Sequence, residues 1–201
     1  MKKVFVLLGN TSKEASNQYI LIAIAVVVKL VLQFIATSNS GYHGDELLSI
    51  EAGNHLAFGY LDFPPMIGFF AWIQNLFHSD SLFINHIFNY INSCLIMVLC
   101  GLLTMKLGGK SIAVIVTMLC LIFSPGFGAS QYLFLPTAFE QLFWIAFTYF
   151  IVHFDRFDKY NYLVYAAIVA ALGFMNKYSF IFLLEGFVFS IVFFRFEILK
   201  N

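Results

Sequence analysis

The chain has 201 residues, of which 61% are apolar and 19% aromatic, and its 11 Lys plus Arg balance 11 Asp plus Glu. This is far too apolar for an ordinary soluble domain and points to an all-α, polytopic membrane protein. Zero net charge without a basic cluster excludes a nucleic-acid partner, and Cys94, Cys100 and Cys120 sit in apolar runs without metal-ligand spacing, where buried core thiols are expected.

Lys2 and Lys3 precede VFVLLG, an apolar core too short for a signal peptide, so no cleavage is expected. The first span runs from Tyr19 to Ala36 and is interrupted by Lys29 and Gln33. A cation at that depth is costly unless it snorkels or meets an anion. Lys29 therefore reads either as a functional residue or as an anchor reaching the outer interface.

Residues 37–80 form the loop around which the chain is organised. Its core, GYHGDELLSIEAGNHLAFGYLDFPP from Gly41 to Pro65, gathers acids and histidines between apolar segments. Asp45, Glu46, Glu51, Asp62 and Asp80 lie in a stretch with no Lys or Arg, which reads as an extramembrane active-site loop. Asp45 is placed to cap a helix that begins at Glu46, with Leu47, Leu48, Ile50, Leu56 and Phe58 as its apolar face and Gly59 as its stop. Pro64 and Pro65 suit the first turn of a second helix, Met66 to Phe77. Both are expected to be amphipathic and to lie along the membrane surface.

The second span, Ser81 to Thr104, carries Asn85, Asn89 and Asn92 at i, i+4, i+7 spacing, a stripe that should face the bundle and hydrogen-bond between helices, with His86 beside it. Further spans follow at Ser111 to Ser124, Pro136 to Phe154, Tyr160 to Asn176 and Tyr178 to Phe196, about six in all and without internal repeat. The segment from Ser111 is short for a span, so it either tilts or extends past Pro125. With the N-terminus in the cytoplasm, Lys2, Lys3, Lys13, Lys106, Lys110, Arg156, Lys159, Arg195 and Lys200 all fall inside. The acid-rich loop, Glu140 and Lys177 then lie at the outer surface of the cell (inner) membrane.

The run GYHGDELLSIEAGNHLAFGYLDFPPMIGFFAWI resembles the first outer loop of bacterial family 39 glycosyltransferases, relatives of protein O-mannosyltransferases and lipid A aminoarabinose transferases in the GT-C superfamily. The resemblance extends to PTAFEQLFW, similar to an acid-containing segment at the start of the family's fourth span, and to GFMNKYSF, similar to a Gly-rich helix ending in Lys-Tyr. It implies a reaction in which a sugar leaves a polyprenyl phosphate and joins an acceptor hydroxyl outside the membrane, with inversion. The acceptor is a lipid, glycan or protein, and membrane lipids are the other partners.

In that reaction the acceptor hydroxyl needs a carboxylate to take its proton. Asp45 matches the family's catalytic acid position, and Glu46 takes a supporting role, orienting or accepting a sugar hydroxyl. The departing lipid phosphate needs positive charge, for which the resemblance nominates Lys177 ahead of Lys29. Glu140 is the second acid, and His55 and Asp62 are further candidates for substrate contact. Three positions depart from the family pattern. Thr137 stands where many relatives have Asp, Gly44 where an Arg is frequent before the Asp-Glu pair, and His86 where another Arg is frequent. The last two changes bear on donor-phosphate binding.

His43, Asp45, Glu46 and His55 also offer His and carboxylate ligands for a divalent cation, but no tight ligand motif contains them. Because family members continue for several more spans, residues 1–201 are expected to be one N-terminal transmembrane domain of catalytic type, incomplete at the C-terminus and inactive alone. A non-catalytic membrane protein derived from such an enzyme is the alternative reading. A transporter fits less well, since its charged groups would gather near the bilayer midplane in repeated halves.

Overall fold

A computed structural model describes residues 12–157 and 159–194. Every regular element among them is an α-helix: α1 (Ser12–Ser38), α2 (Gly44–Glu51), α3 (Met66–Asn75), α4 (Leu82–Asn85), α5 (Ile87–Lys106), α6 (Ser111–Phe123), α7 (Pro125–Tyr132), α8 (Pro136–Phe157), α9 (Asn161–Asn176) and α10 (Phe180–Phe194). The protein is an all-α polytopic membrane protein.

Individually, α1 from Glu14 and α5 meet the length and apolarity that crossing a bilayer requires. The α6–α7 pair joins them if its halves, bent by 62°, form one broken span. The bend has a local cause. Ser124 leaves the helical conformation and its Oγ accepts the Phe127 N–H, while Pro125 takes the first position of α7. Expected spans three to six coincide in position with α6, α8, α9 and α10, of which α9 and α10 are shorter apolar helices.

α5 is the central helix, packed against α1, α6 and α8. One apolar core joins Ile22 and Ala25 of α1 to Met97 of α5 and to Val114 and Met118 of α6. A second joins Phe147, Ala166 and Phe180 across α8, α9 and the start of α10. Between α5 and α6 the chain reverses at Gly108, whose φ of 92° favours glycine. The cysteines differ from expectation: Cys94 and Cys100 are half-buried and Cys120 is exposed, because they fall on the flanks of their helices.

The two ends of the bundle carry different charge. Arg156 donates to the Lys106 carbonyl, and Gln18 Nε2 donates to the Gly109 carbonyl at 2.9 Å, so Lys106, Lys110, Arg156 and Lys159 share one end with the start of α1. Residues 41–65 occupy the opposite end. Lys2, Lys3, Arg195 and Lys200, which enter the cation bias, lie outside the described residues.

The loop helices depart from expectation in two ways. α2 stops at Glu51 rather than at Gly59, because the chain turns so that Gly53 presses against α3; a Cβ there would lie 2.6 Å from the Ala71 backbone. Residues 52–63 then wrap around the Tyr60 hydroxyl, which donates to the Ala52 carbonyl at 2.8 Å. α3 is also more than a surface helix. Ile67 and Ala71 are fully buried in a core with Phe63, Phe134, Ala138 and Phe139, while Phe69 and Trp72 remain exposed and stacked.

Candidate active site

α2 begins with a reciprocal cap made by His43, not by Asp45. The His43 Nδ1 accepts the Asp45 N–H at 3.3 Å, and the His43 N–H donates to Glu46 Oε2 at 2.9 Å. The expectation that Asp45 caps the helix is therefore corrected. Its carboxylate projects from the first turn with its side chain 75% exposed, and His43 Nδ1 stands 3.7 Å from its Oδ2.

The next residue is its opposite. Glu46 is fully buried, and its Oε1 stands 2.8 Å from His86 Nε2 and accepts the Phe134 N–H at 2.6 Å. Burial by itself would raise this carboxyl's pKa. The hydrogen bonds from His86 and from the His43 and Phe134 backbones outweigh burial and hold it below the ordinary glutamate value. Glu46 thus fastens α2 to the α4–α5 junction and to the α7–α8 turn. Of the two supporting roles expected of Glu46, orienting or accepting a sugar hydroxyl, its burial and its three donors are those of an orienting group.

Below this clamp the asparagine stripe behaves as its spacing predicts. Asn92 Nδ2 donates to Gln131 Oε1 at 2.8 Å and to the Ala138 carbonyl at 2.9 Å, and Asn89 Nδ2 donates to the Tyr132 carbonyl at 3.1 Å. Asn85 Nδ2 donates to the Tyr42 hydroxyl at 2.5 Å. The hub of the network is Gln131, whose backbone carbonyl also accepts from Gln33 Nε2 at 2.9 Å. Sequence reading did not single out Gln131. Its one signal is a lone amide in an aromatic turn.

Glu140 and Lys177 come together. Lys177 sits between α9 and α10 in an extended conformation, and its Nζ lies 3.3 Å from Glu140 Oε2. Ser179 Oγ donates to Glu140 Oε1, a partner the sequence did not reveal because only the turn between two helices brings it there. Asn176 Nδ2 donates to the Pro136 carbonyl at 2.8 Å and fixes that turn against α8. Glu140 is 12% exposed at its side chain against 36% for Lys177, so the ammonium faces outward. The loop reaches this site: a Cβ on Gly59 would lie 4.0 Å from the Tyr178 hydroxyl.

Beneath the pair a groove of about 320 Å³ runs along α8 and α10, walled by Trp144, Phe147, Ile151, Phe182, Leu183 and Phe187. Trp144 is one helical turn below Glu140, so the groove continues the site into the membrane. The other candidates lie apart from it. His55 is exposed and pairs with Glu51 at 3.3 Å, and Asp62 is exposed. Lys29 is buried against α6 and α7, on the far side of α5 from Lys177. Among the described residues no three His, Cys, Asp or Glu side chains converge as a metal centre would need, and the Glu46 carboxylate is taken up by His86 and by the His43 and Phe134 backbones.

The all-helical membrane bundle thus carries acids and an outward lysine at one end, and a family match gives this arrangement its class, a membrane glycosyltransferase of the GT-C type. The model of the dolichyl-phosphate-mannose-protein mannosyltransferase family matches residues 62–201, and the chain belongs to that family. The matched stretch contains Asp62, His86, Glu140 and Lys177 and begins after Asp45 and Glu46. No curated protein and no solved structure matches.

Proposed function

We propose that the protein transfers a sugar from a polyprenyl-phosphate donor to an acceptor hydroxyl on the outer face of the cell membrane, with inversion, and that Asp45 is the general base. The observation that carries this reading is the contrast within the Asp45-Glu46 pair. Glu46 anchors α2 rigidly, and Asp45, relieved of capping by His43, presents a free carboxylate from that anchored turn. A base held on a fixed element meets the geometric demand of proton transfer.

Lys177 supports the donor side. Its ammonium stands above the α8–α10 groove, so a prenyl chain lying in the groove would bring its phosphate to the lysine. Glu140 keeps Lys177 in place until the phosphate arrives. Membership of the mannosyltransferase family favours mannose or a related sugar on the donor. The cation-rich end faces the cytoplasm in this arrangement, as the distribution of Lys and Arg between the two ends favours.

Asp45→Asn tests the reading. Asn keeps the size and leaves the His43 cap untouched but cannot take a proton. Transfer should fall about 10²-fold or more with the unfolding midpoint unchanged. Wild-type turnover in the variant would remove Asp45 from the chemistry.

A further inference from the structure

The cleft around Lys29 belongs to neither the Glu46 clamp nor the Lys177 site. It lies between α1 and the bent α6–α7 pair, encloses about 210 Å³ and is walled by Lys29, Leu32, Gln33, Ala36, Ile122, Gly128 and Tyr132. Lys29 is only 6% exposed, yet no carboxylate pairs with it among the described residues, and its Nζ stands over the Phe127 ring, 5.5 Å from the centroid. An ammonium held in a membrane bundle without an anion is costly, which makes the cleft electrostatically unfinished.

The rest of the cleft has the same bias. Phe127 and Gly128 belong to the first turn of α7, so the positive end of that helix's dipole lies at the cleft, while their own N–H groups are taken up by Ser124. The Tyr132 hydroxyl and Gln33 Oε1 are buried and have no partner among the described residues. A cation, a helix N-terminus and a spare hydroxyl on one cleft call for an anion with several oxygens.

Depth narrows the class. Gln33 is bonded to Gln131, whose side chain bonds Ala138 in the first turn of α8, so Gln33 is level with the start of that helix. Lys29 is one turn lower on α1, roughly 6 Å, as Glu140 is one turn below the start of α8. The cleft also continues onto exposed apolar surface at Val28 and Leu32 of α1 and at Leu119 and Phe123 of α6. A phosphate carried on a lipid chain satisfies both features, whereas a water-soluble anion would leave the apolar flank unused.

We infer that the α1/α6/α7 cleft is a second lipid-phosphate site, level with the Lys177 site but on the opposite side of α5. Its headgroup pairs with Lys29 and the Tyr132 hydroxyl, and its chain follows α1 and α6. The inference does not rest on the transfer reaction, since it needs only a membrane lipid bearing a phosphate.

The test measures binding to the purified full-length protein in detergent. The probes are phosphatidylglycerol, farnesyl phosphate and, as the phosphate-free control, diacylglycerol. Lys29→Met should weaken a phosphate-bearing probe about tenfold, Lys29→Arg should hold it within about threefold, and Tyr132→Phe should weaken it about threefold. Because farnesyl phosphate also suits the Lys177 groove, the same measurements are repeated in a Lys177→Met background, where the loss through Lys29→Met should persist. Loss confined to phosphatidylglycerol identifies a bilayer phospholipid, and loss confined to farnesyl phosphate identifies a prenyl carrier; either supports the site. Tyr132→Phe removes an oxygen with no partner, so it keeps the test valid if Lys29→Met unfolds. Binding equal to that of diacylglycerol, indifference to both Lys29→Met and Tyr132→Phe, or loss through Lys177→Met alone would each overturn the second site.

Discussion

Among the described residues two carboxylates, Glu46 and Glu140, are buried at the loop end of this bundle, and they are held in different ways. Glu46 is bound by His86 and by two backbone N–H groups, which cannot leave without moving α2 or the α7–α8 turn. Glu140 is bound by Lys177 and Ser179, both side chains on one turn, and its lysine is partly in solvent. Backbone donors make a carboxylate part of the frame, while side-chain donors can change partner when a ligand arrives. The difference separates the architecture of the site from its working parts, and it can be broken or sharpened at each residue.

The largest effect is expected at Glu46. Glu46→Gln keeps the shape but turns one acceptor into a donor, so one of the three partners is left facing an N–H group. Losing the clamp should cost roughly 3 kcal/mol of stability, read as a lower unfolding midpoint in detergent. The pH dependence follows from the depressed pKa of Glu46. A carboxyl whose folded value lies below its unfolded one stabilises fully above the ordinary range, near 4.5, and that contribution is lost as pH falls through the lower folded value. The variant should lack this acid slope. A variant with wild-type stability and slope would show that the clamp does not hold the loop.

A smaller effect is expected at Lys177. Lys177→Met should raise the KM for a polyprenyl-phosphate sugar about tenfold, and Lys177→Arg should stay within about threefold, because charge near the phosphate is the requirement. Stability should change little, since the pair is partly exposed and solvent screens it. Equal donor kinetics for the two variants would make Lys177 a helix anchor only.

Much of this was legible in the chain. Period and apolarity located α1, α5, α6, α8, α9 and α10, and the asparagine stripe pointed inward because i, i+4, i+7 spacing fixes one face. The segment from Ser111 was too short to cross alone, and it continues past Pro125 as a bent second half. What sequence could not give is which residue a polar side chain meets far along the chain. Asp45 and Glu46 are neighbours with the same charge, and only packing against His86 and Phe134 decides which is buried. His43 is the cap because the helix begins at Gly44, which puts His43 at the capping position and Asp45 inside the first turn, although Asp is the stronger capping type. Ser179 was invisible for the same reason: its value depends on Glu140, 39 positions away.

The smallest effect is expected at Ser179, where the comparison is most exposed to failure. Its hydroxyl donates to one oxygen of Glu140, and Lys177 holds the other. In Ser179→Ala the carboxylate keeps its ion pair and gains freedom to rotate, so about 1 kcal/mol of stability or less should be lost. Donor KM should rise less than in Lys177→Met, since the charge facing the phosphate is intact, whereas a frame like that around Glu46 would lose stability and donor use together. Measuring both quantities on Ser179→Ala therefore decides the matter. Near-wild-type stability with a modest change in KM keeps Glu140 among the working parts, while a collapse of stability comparable to Glu46→Gln would make the two carboxylates the same kind of clamp.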